Sequence, residues 1–496
     1  MMMKRVGSSL FIKITRADEG YDMPTNKVNK KSVSAENTNH EDDESLVSSE
    51  NKVNNYWLIN IGDTGGHEIA ENNNVIANGN RDKLLASSIE GKLRKESSLP
   101  TRRSIFRIPN LLRKHNEKVF VPNLVSIGPF HHGKKNLQAM QETKLWYLHL
   151  LLERKPTPDT NLEYFVKVIR STEQYYRNCY EEKFDDLSSD QFVEMMVLDG
   201  CFLIELLKVY AGELTQDKDD PVWAKWVILA LLNDLLLLEN QIPWRVLECL
   251  FDITWISGRR TLPDLALNFF YSWTFEMSPE IDGVGKNLHL LDFIRNCLIR
   301  SFDENAENTK SFSWQSIPSV TELLQAGVKF KRGKDNDMLN VTFKDGVMEI
   351  PPIRVQENGE SLFRNLIAFE QCEPNIINST THISSYAFLM DNLINSSKDI
   401  EFLVEKEIMQ TFLSSEDTAS FFNRLNNDAE FSSFSYGELF EKVTQYHQGR
   451  WHRWQTILGR DYFSNPWSII SFVAALVILA LTFIQTVYSI LSYKFK

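Results

Sequence analysis

An uninterrupted apolar run near the carboxyl end limits what this chain can fold into more than any other feature. From Trp467 to Leu491 the sequence contains no charged side chain. An α-helix rises about 1.5 Å per residue, so roughly 20 such residues cross the hydrocarbon of a bilayer. Few helices of soluble proteins stay uncharged over this length, although a buried terminal helix is the alternative. The run predicts a transmembrane anchor over residues 464–493, with Trp467 and Leu491 as its boundaries.

The first hundred residues have the opposite composition. Residues 1–100 are rich in Asn, Ser, Glu and Lys, and their apolar patch at 56–59 is isolated. Such a segment cannot bury enough surface to offset the entropy of the chain, so we expect a disordered extension. The apolar stretch behind the basic start is too short for a secretory signal.

Residues 101–463 show the periodicity of a helical domain. Apolar residues recur there at intervals of three and four. Helices are predicted over residues 137–154, 162–180, 189–211, 221–240, 288–300, 362–372, 383–394, 400–409 and 415–426, and they reach the membrane through the aromatic-rich residues 446–462. Between 328 and 353 the pattern alternates, with Asp345-Gly346 as a turn signal. The prediction is a mainly α protein: a helical bundle-like body with a small antiparallel β-hairpin insertion and one C-terminal transmembrane helix.

Acidic residues within the two longest predicted body helices are candidates for chemistry. If these helices form an antiparallel hairpin, Asp199 and Asp234 lie at one level and Glu194 faces Glu239. Acids held that close in apolar surroundings raise one another's pKa and can share a proton, as catalytic dyads do. The alternative is a structural role for a buried polar cluster of Asp199, Asp234 and Glu239, each bonded to a helix end or an arginine.

Composition and motifs argue against several other functions. The formal net charge of −12 disfavours nucleic-acid binding, which requires a cationic surface. Adjacent His131 and His132 lack the further ligands of a metal site, and GxSxG, HExxH and GxGxxG are absent. The five cysteines are far apart and odd in number, as expected of free thiols. We predict no cofactor, no metal and no enzymatic activity.

The position of the apolar run also bears on topology. An anchor at the extreme carboxyl end, without an evident signal, favours a body in the cytosol, and we expect the plasma membrane as its location. Possible glycosylation sequons at Asn340, Asn378 and Asn395 leave an extracellular or lumenal body as the alternative.

Six short segments together carry a family resemblance. They are IFRIP at 105–109, VSIGPFHHG at 125–133, MVLDGCF at 196–202, DLLLLENQIP at 234–243, NLIAFEQC at 365–372 and YFSNPW at 462–467. In this order they resemble a plant family of membrane-associated proteins known as domain of unknown function 247. The resemblance implies a plant source, a mostly helical body, one C-terminal span and no accepted reaction.

The resemblance also bears on function. Some members of that family are linked to self-incompatibility in grasses through recognition between pollen and stigma, which implies binding rather than catalysis. We therefore predict a single-pass protein that contacts the lipid bilayer through its anchor and an unknown protein or peptide through its body. It would be a receptor-like or scaffold component in recognition or signalling. The alternative is a membrane-tethered hydrolase or transferase that uses the carboxylates of Asp199, Asp234 and Glu239.

Overall fold

A computed structural model describes most of the chain beyond residue 102. The described residues are 81–90, 103–215, 220–274, 286–299, 316–333, 338–373, 381–427, 429, 434–449 and 466–494. Residues 81–90 form a helix whose residues are all exposed. The remainder of the predicted extension over 1–100, and most of the aromatic-rich stretch 446–462, lie outside the described residues.

The body is mainly helical, which confirms the predicted fold class. Its helices are α1 (Ala139–Arg154), α2 (Leu162–Ser171), α3 (Glu173–Asn178), α4 (Ser189–Tyr210), α5 (Lys225–Asp234), α6 (Trp244–Thr254), α7 (Leu262–Thr274), α8 (Leu290–Leu298), α9 (Val320–Gln325), α10 (Gly359–Cys372), α11 (His382–Leu393), α12 (Ser397–Glu405), α13 (Ser415–Leu425) and α14 (Gly437–Gln448). Short helical turns lie at Asn110–Arg113, Glu117–Phe120, Lys135–Leu137 and Pro221–Trp223.

Helix α4 is the centre of the first half of the body. It begins at a capping box, in which the Ser188 hydroxyl accepts from the Gln191 N–H at 3.3 Å and the Gln191 amide oxygen accepts from the Ser188 N–H at 3.0 Å. Nearly all of its residues from Phe192 onward are buried, and α1, α2, α6 and α7 pack around it. A helix that is apolar on every side must lie in a core, and this one does.

Three predicted helices have different boundaries in the structure. The helix predicted over 162–180 is broken at Thr172, between α2 and α3. The helix predicted over 400–409 ends at Glu405 and is followed by strand β5 (Met409–Thr411). The helix predicted over 221–240 ends at Asp234, because the following residues turn back and the side-chain amide of Gln241 donates to the carbonyls of Leu235 and Leu237.

The β-structure consists of two small sheets. The first has the order β1 (Lys329–Arg332), β3 (Val347–Ile350), β2 (Thr342–Lys344), and β2 and β3 form the predicted antiparallel hairpin. Its turn residues, Asp345 and Gly346, have φ angles of 52° and 77°, which is the left-handed conformation that such turns require. Strand β1 pairs parallel with β3, and β4 (Ile353–Val355) pairs parallel with β5. Alternation in the sequence does not indicate these parallel pairs.

The last described helix, α15 (Pro466–Lys494), contains the apolar run. Its stretch Ile470–Leu491 is 22 residues long and apolar enough to cross a membrane, and none of it is buried inside the protein. Of the two predicted boundaries, Leu491 is the last residue of this stretch. Trp467 lies one turn before the stretch and is exposed. The exposure disagrees with the alternative of a terminal helix buried in a soluble core.

Candidate functional site

The predicted acidic residues surround a buried segment that has no regular secondary structure. Residues 121–131 belong to the connection between two short helical turns, and residues 125–131 are all buried. A buried backbone outside helices and sheets leaves N–H groups that need other partners. In this protein, carboxylates and side-chain amides from distant parts of the sequence supply those partners. We call residues 121–131 the buried segment.

Asp234 binds the start of the buried segment. Its carboxylate lies at the end of α5 and accepts the backbone N–H groups of Asn123 at 3.0 Å, Leu124 at 2.7 Å and Val125 at 3.0 Å. Burial raises the pKa of Asp234, while the three backbone N–H groups favour the charged form and oppose that shift. The carboxylate therefore takes the place of the strand or helix that would otherwise bind these groups.

Asp199 binds the middle of the buried segment. One carboxylate oxygen accepts the N–H of Gly128 at 2.8 Å, and the other pairs with the ammonium of Lys144 at 2.5 Å. Lys144 belongs to α1 and is itself buried, so this ion pair is sealed from water. Gly128 has a φ of 75°, and a side chain there would collide with the backbone carbonyl oxygen of Gln241.

Glu239 binds the segment that precedes the first helical turns. Its carboxylate accepts the N–H of Ile108 at 2.8 Å and pairs with Arg113. The guanidinium of Arg107 lies 3.5 Å away and also binds Glu182 at 2.8 Å. Buried carboxylates require such partners, and Glu239 has both a backbone donor and cations.

The predicted helical hairpin is wrong for these acids. Asp199 and Asp234 bind different stretches of the buried segment, and within the described part of the chain no hydrogen bond or ion pair joins them. Glu239 lies beyond the end of α5, and Glu194 is exposed, so these two glutamates do not form a buried pair. The reason is that the chain turns after Asp234, so Glu239 does not lie on α5. The predicted pairing with Glu194 required Glu239 to be part of that helix.

His131 lies beside Glu239 without a hydrogen bond to either ring nitrogen from the described residues. Burial, and then the charges of Lys134, Arg107 and Arg113, lower the pKa of His131 to about 3. The Glu239 carboxylate at 3.6 Å would favour a proton on this ring, but it is already paired with the two arginines. We therefore treat His131 as neutral.

The described residues contain few groups suited to metal binding or thiol chemistry. No cluster of three His, Cys, Asp or Glu side chains with metal-binding geometry occurs among the described residues. All five cysteines are free, and burial raises the pKa of Cys179 to about 12, which leaves its thiol protonated.

Three amide side chains complete the network and were not predicted as site residues. Asn240 accepts the N–H of Ile127 at 2.7 Å and donates to the carbonyl of Val125 at 3.0 Å. Asn365, from α10, donates to the carbonyl of Val119 at 2.8 Å. The side-chain amide of Gln241 donates to the backbone carbonyls of Leu235 at 2.8 Å and Leu237 at 2.9 Å. The sequence does contain a signal for two of these residues, because the polar triplet 239–241 directly follows four leucines. Amide side chains beside an apolar run are buried with it and need hydrogen-bond partners there.

A surface groove lies elsewhere on the body, between the edge strand β2 and helix α14. Its volume is about 240 Å³, and none of the three predicted acids lines it. The Tyr436 hydroxyl donates to the Leu339 carbonyl at 2.5 Å at its base, and an ion pair of 2.6 Å between Lys442 and Glu438 lies at its rim. The groove is lined by residues 339–343 and by Ser435, Tyr436, Glu438, Leu439 and Lys442.

Two of the three sequon asparagines lie in the described part of the chain. Asn340 lines the groove and is exposed, and Asn395 is exposed before α12. Asn378 lies outside the described residues. Their modification stays a prediction.

Comparisons with known proteins place this architecture in one family. The family model described as plant protein of unknown function, domain of unknown function 247, matches residues 105–481. A UPF0481 protein of Arabidopsis thaliana is 30% identical over 447 residues, which cover 83% of this chain and 91% of that protein. A second UPF0481 protein of the same plant is 23% identical over 504 residues, with 81% and 93% covered. No solved structure matches the chain at a significant level. The chain thus belongs to the plant family of unknown function named domain of unknown function 247.

Proposed function

We propose that this protein is a membrane-anchored binding component whose body holds another protein or a peptide, in a receptor-like or scaffold role in plant recognition or signalling. One observation supports the proposal: the carboxylates of the buried acids already have hydrogen-bond partners inside the fold. Each of Asp199, Asp234 and Glu239 accepts backbone N–H groups, and two of them also pair with cations. Such carboxylates organise a scaffold, and because all three are buried they are not exposed to a substrate.

The alternative hydrolase or transferase has weaker support. A carboxylate that acts as a general acid or base must open into a pocket that admits the substrate. Asp234 and Asp199 are instead covered by the buried segment that they bind, and the groove is lined by none of the three acids. We therefore propose no reaction.

The groove beside β2 is the site that we propose for the partner. Within the described residues β2 pairs with β3 alone, so no described strand occupies its other edge. An extended peptide can add to such an edge, with a neighbouring helix as the second wall of the groove. The side chains of Leu339 and Leu439 give this groove an apolar floor, and Glu438 and Lys442 give it a charged rim.

The proposal includes the place of the protein in the cell. The stretch Ile470–Leu491 would span the plasma membrane, with the body in the cytosol. Digestion with a glycosidase tests this topology, because Asn340 and Asn395 are exposed and would be modified in a body outside the cytosol. A mass shift on digestion would contradict the cytosolic topology and leave the binding proposal to be tested separately.

Proximity labelling of the full-length protein in its own tissue tests the binding proposal. The groove variant Thr342→Arg with Glu438→Arg places two bulky cations on exposed positions of the groove. The matched control, Glu163→Arg with Thr172→Arg, makes the same changes at exposed positions around α2. We expect the groove variant to lose labelled proteins that the wild type and the control retain. An identical labelled set in all three would refute the groove as the binding site.

A further inference from the structure

We propose that the exposed face of the three-stranded sheet docks on the anionic phospholipid surface of the membrane that holds the anchor. This inference rests on the anchor of the proposed function, and it concerns the lysines of the sheet, none of which lines the groove; the two surfaces share only Thr342. We call this surface the sheet face. It consists of the outward side chains of β1, β2 and β3, which are Lys329, Lys331, Thr342, Lys344, Val347 and Glu349.

The strand register arranges these side chains in two rows. In the first row Val347 of β3 has Lys329 on one side and Lys344 on the other. In the second row Glu349 lies between Lys331 and Thr342. The opposite face of the sheet is packed into the core through residues such as Phe330 and Met348, so the lysines have one direction in which to extend.

The charge of the sheet face differs from that of the whole molecule. The chain carries a net charge of −12, yet this face has three lysines and one acid. Glu349 pairs with Lys331 at 3.5 Å, and no ion pair within the described part of the chain engages Lys329 or Lys344. Two lysines that flank a half-buried valine therefore present an excess of positive charge, complementary to anionic headgroups.

The chain connectivity limits the distance between this face and the bilayer. The β2–β3 hairpin contacts Tyr446: the rings of Phe343 and Tyr446 lie 5.7 Å apart, and a side-chain carbon at Gly346 would lie 2.6 Å from the Tyr446 hydroxyl. Tyr446 belongs to the last turn of α14, which among the described residues is the last body helix before the anchor helix. Residues 449–465 separate the two helices, so the chain between them reaches about 60 Å at most.

These two observations select one occupant. A basic sheet attached to the end of the helix that leads to the anchor meets headgroups at a high local concentration. Each lysine near an anionic leaflet adds to the attraction, which falls off within a Debye length and weakens with salt. The cytoplasmic leaflet is the anionic one, so this contact agrees with the cytosolic body of the proposed function.

Lysine acylation of the full-length protein in nanodiscs, read by mass spectrometry, tests the inference. One set of nanodiscs contains phosphatidylcholine alone, and the other contains phosphatidylcholine with phosphatidylserine. We expect Lys329 and Lys344 to react at least about threefold more slowly in the anionic nanodiscs, with the difference removed by high salt. The exposed lysines Lys167, Lys183 and Lys398 serve as internal controls and should react equally in both.

A pair of variants provides a second readout through amide exchange of the hairpin 342–350. Anionic lipid should slow exchange in the wild type and in the control K167Q/K183Q/K398Q, but not in K329Q/K331Q/K344Q. Equal exchange or acylation in the two lipids for the wild type would overturn the docking while leaving the anchor intact. Failure of the protein to insert into either nanodisc would overturn the anchor, and the docking with it.

Discussion

At the scale of single residues, buried carboxylates accept backbone N–H groups that regular secondary structure would otherwise pair. Asp234 alone satisfies three consecutive backbone N–H groups, from Asn123, Leu124 and Val125. Glu370 has a similar role at the start of α11, where its carboxylate accepts the two N–H groups of Ile383 and Ser384 and pairs with Arg295. Each carboxylate replaces hydrogen bonds that a strand or cap would supply, so its removal leaves several orphaned donors.

Substitution Asp234→Asn should therefore destabilise the protein strongly. An amide offers one oxygen, and its NH₂ group would face N–H donors, so we expect the free energy of unfolding to fall by about 2–4 kcal/mol. Denaturant titration of the detergent-solubilised full-length protein measures this change. Asp190→Asn is the matched control, because its pair with Arg170 is exposed and is worth at most about 1 kcal/mol. Equal stability of the two variants would contradict the structural role.

Buried histidines predict how stability depends on pH. Burial lowers the pKa of both His131 and His289 to about 3, against an ordinary value of 6.5. Below pH 6.5 the unfolded chain binds protons that the folded protein excludes. Each histidine therefore removes about 1.4 kcal/mol of stability per pH unit as the pH falls from 6.5 toward 3.

The variant His131→Leu isolates one of these contributions. Between pH 6 and pH 4 its free energy of unfolding should fall less steeply than that of the wild type, by about 1.4 kcal/mol per pH unit. The control is His149→Leu, which makes the same substitution at an exposed position of α1. Identical slopes for His131→Leu and the wild type would show that the folded protein accepts a proton at His131.

At the scale of elements, local patterns in the sequence were sufficient wherever local contacts decide the structure. The helical period predicted α1 and α4 within about two residues, and Asp345-Gly346 predicted the β2–β3 turn. The end of α5 could not be predicted in this way, because Asp234 there binds residues 109 to 111 positions earlier. The parallel pairing of β1 with β3 could not be predicted either, because the alternation of apolar and polar residues indicates which side chains are exposed but not the direction of the neighbouring strand.

The buried segment itself yields an element-scale prediction at Gly128. Gly128→Ala adds a methyl group where φ is 75° and where the Gln241 carbonyl leaves no room. We expect a loss of about 2–4 kcal/mol in the free energy of unfolding, from backbone strain and overpacking together. Gly133→Ala is the control, since its φ of 77° is similar but nothing lies within 4 Å of the added carbon. Its loss should be about 1 kcal/mol, and equal losses would contradict the close contact.

At the scale of the whole molecule, we expect membrane attachment to depend on the apolar stretch of the anchor helix. Ile478→Arg with Leu481→Arg places two cations near the centre of the stretch Ile470–Leu491, at a cost of about 5–7 kcal/mol of insertion. We expect this variant to leave carbonate-washed membranes. Trp467→Arg with Ser468→Arg, before the stretch, should remain in the pellet. Retention of both variants would contradict a transmembrane helix.

The long-range pairing of the buried network also sets an order of events during synthesis. Asn365 bonds to the Val119 carbonyl, which lies 246 residues earlier, and Glu239 bonds to Ile108 across 131 residues. The amino-terminal motifs therefore leave the ribosome long before their partners exist, and their backbone groups stay hydrated in the nascent chain until then. Completion of the body must wait for translation of α10, and during that interval the chain is a natural client for chaperones.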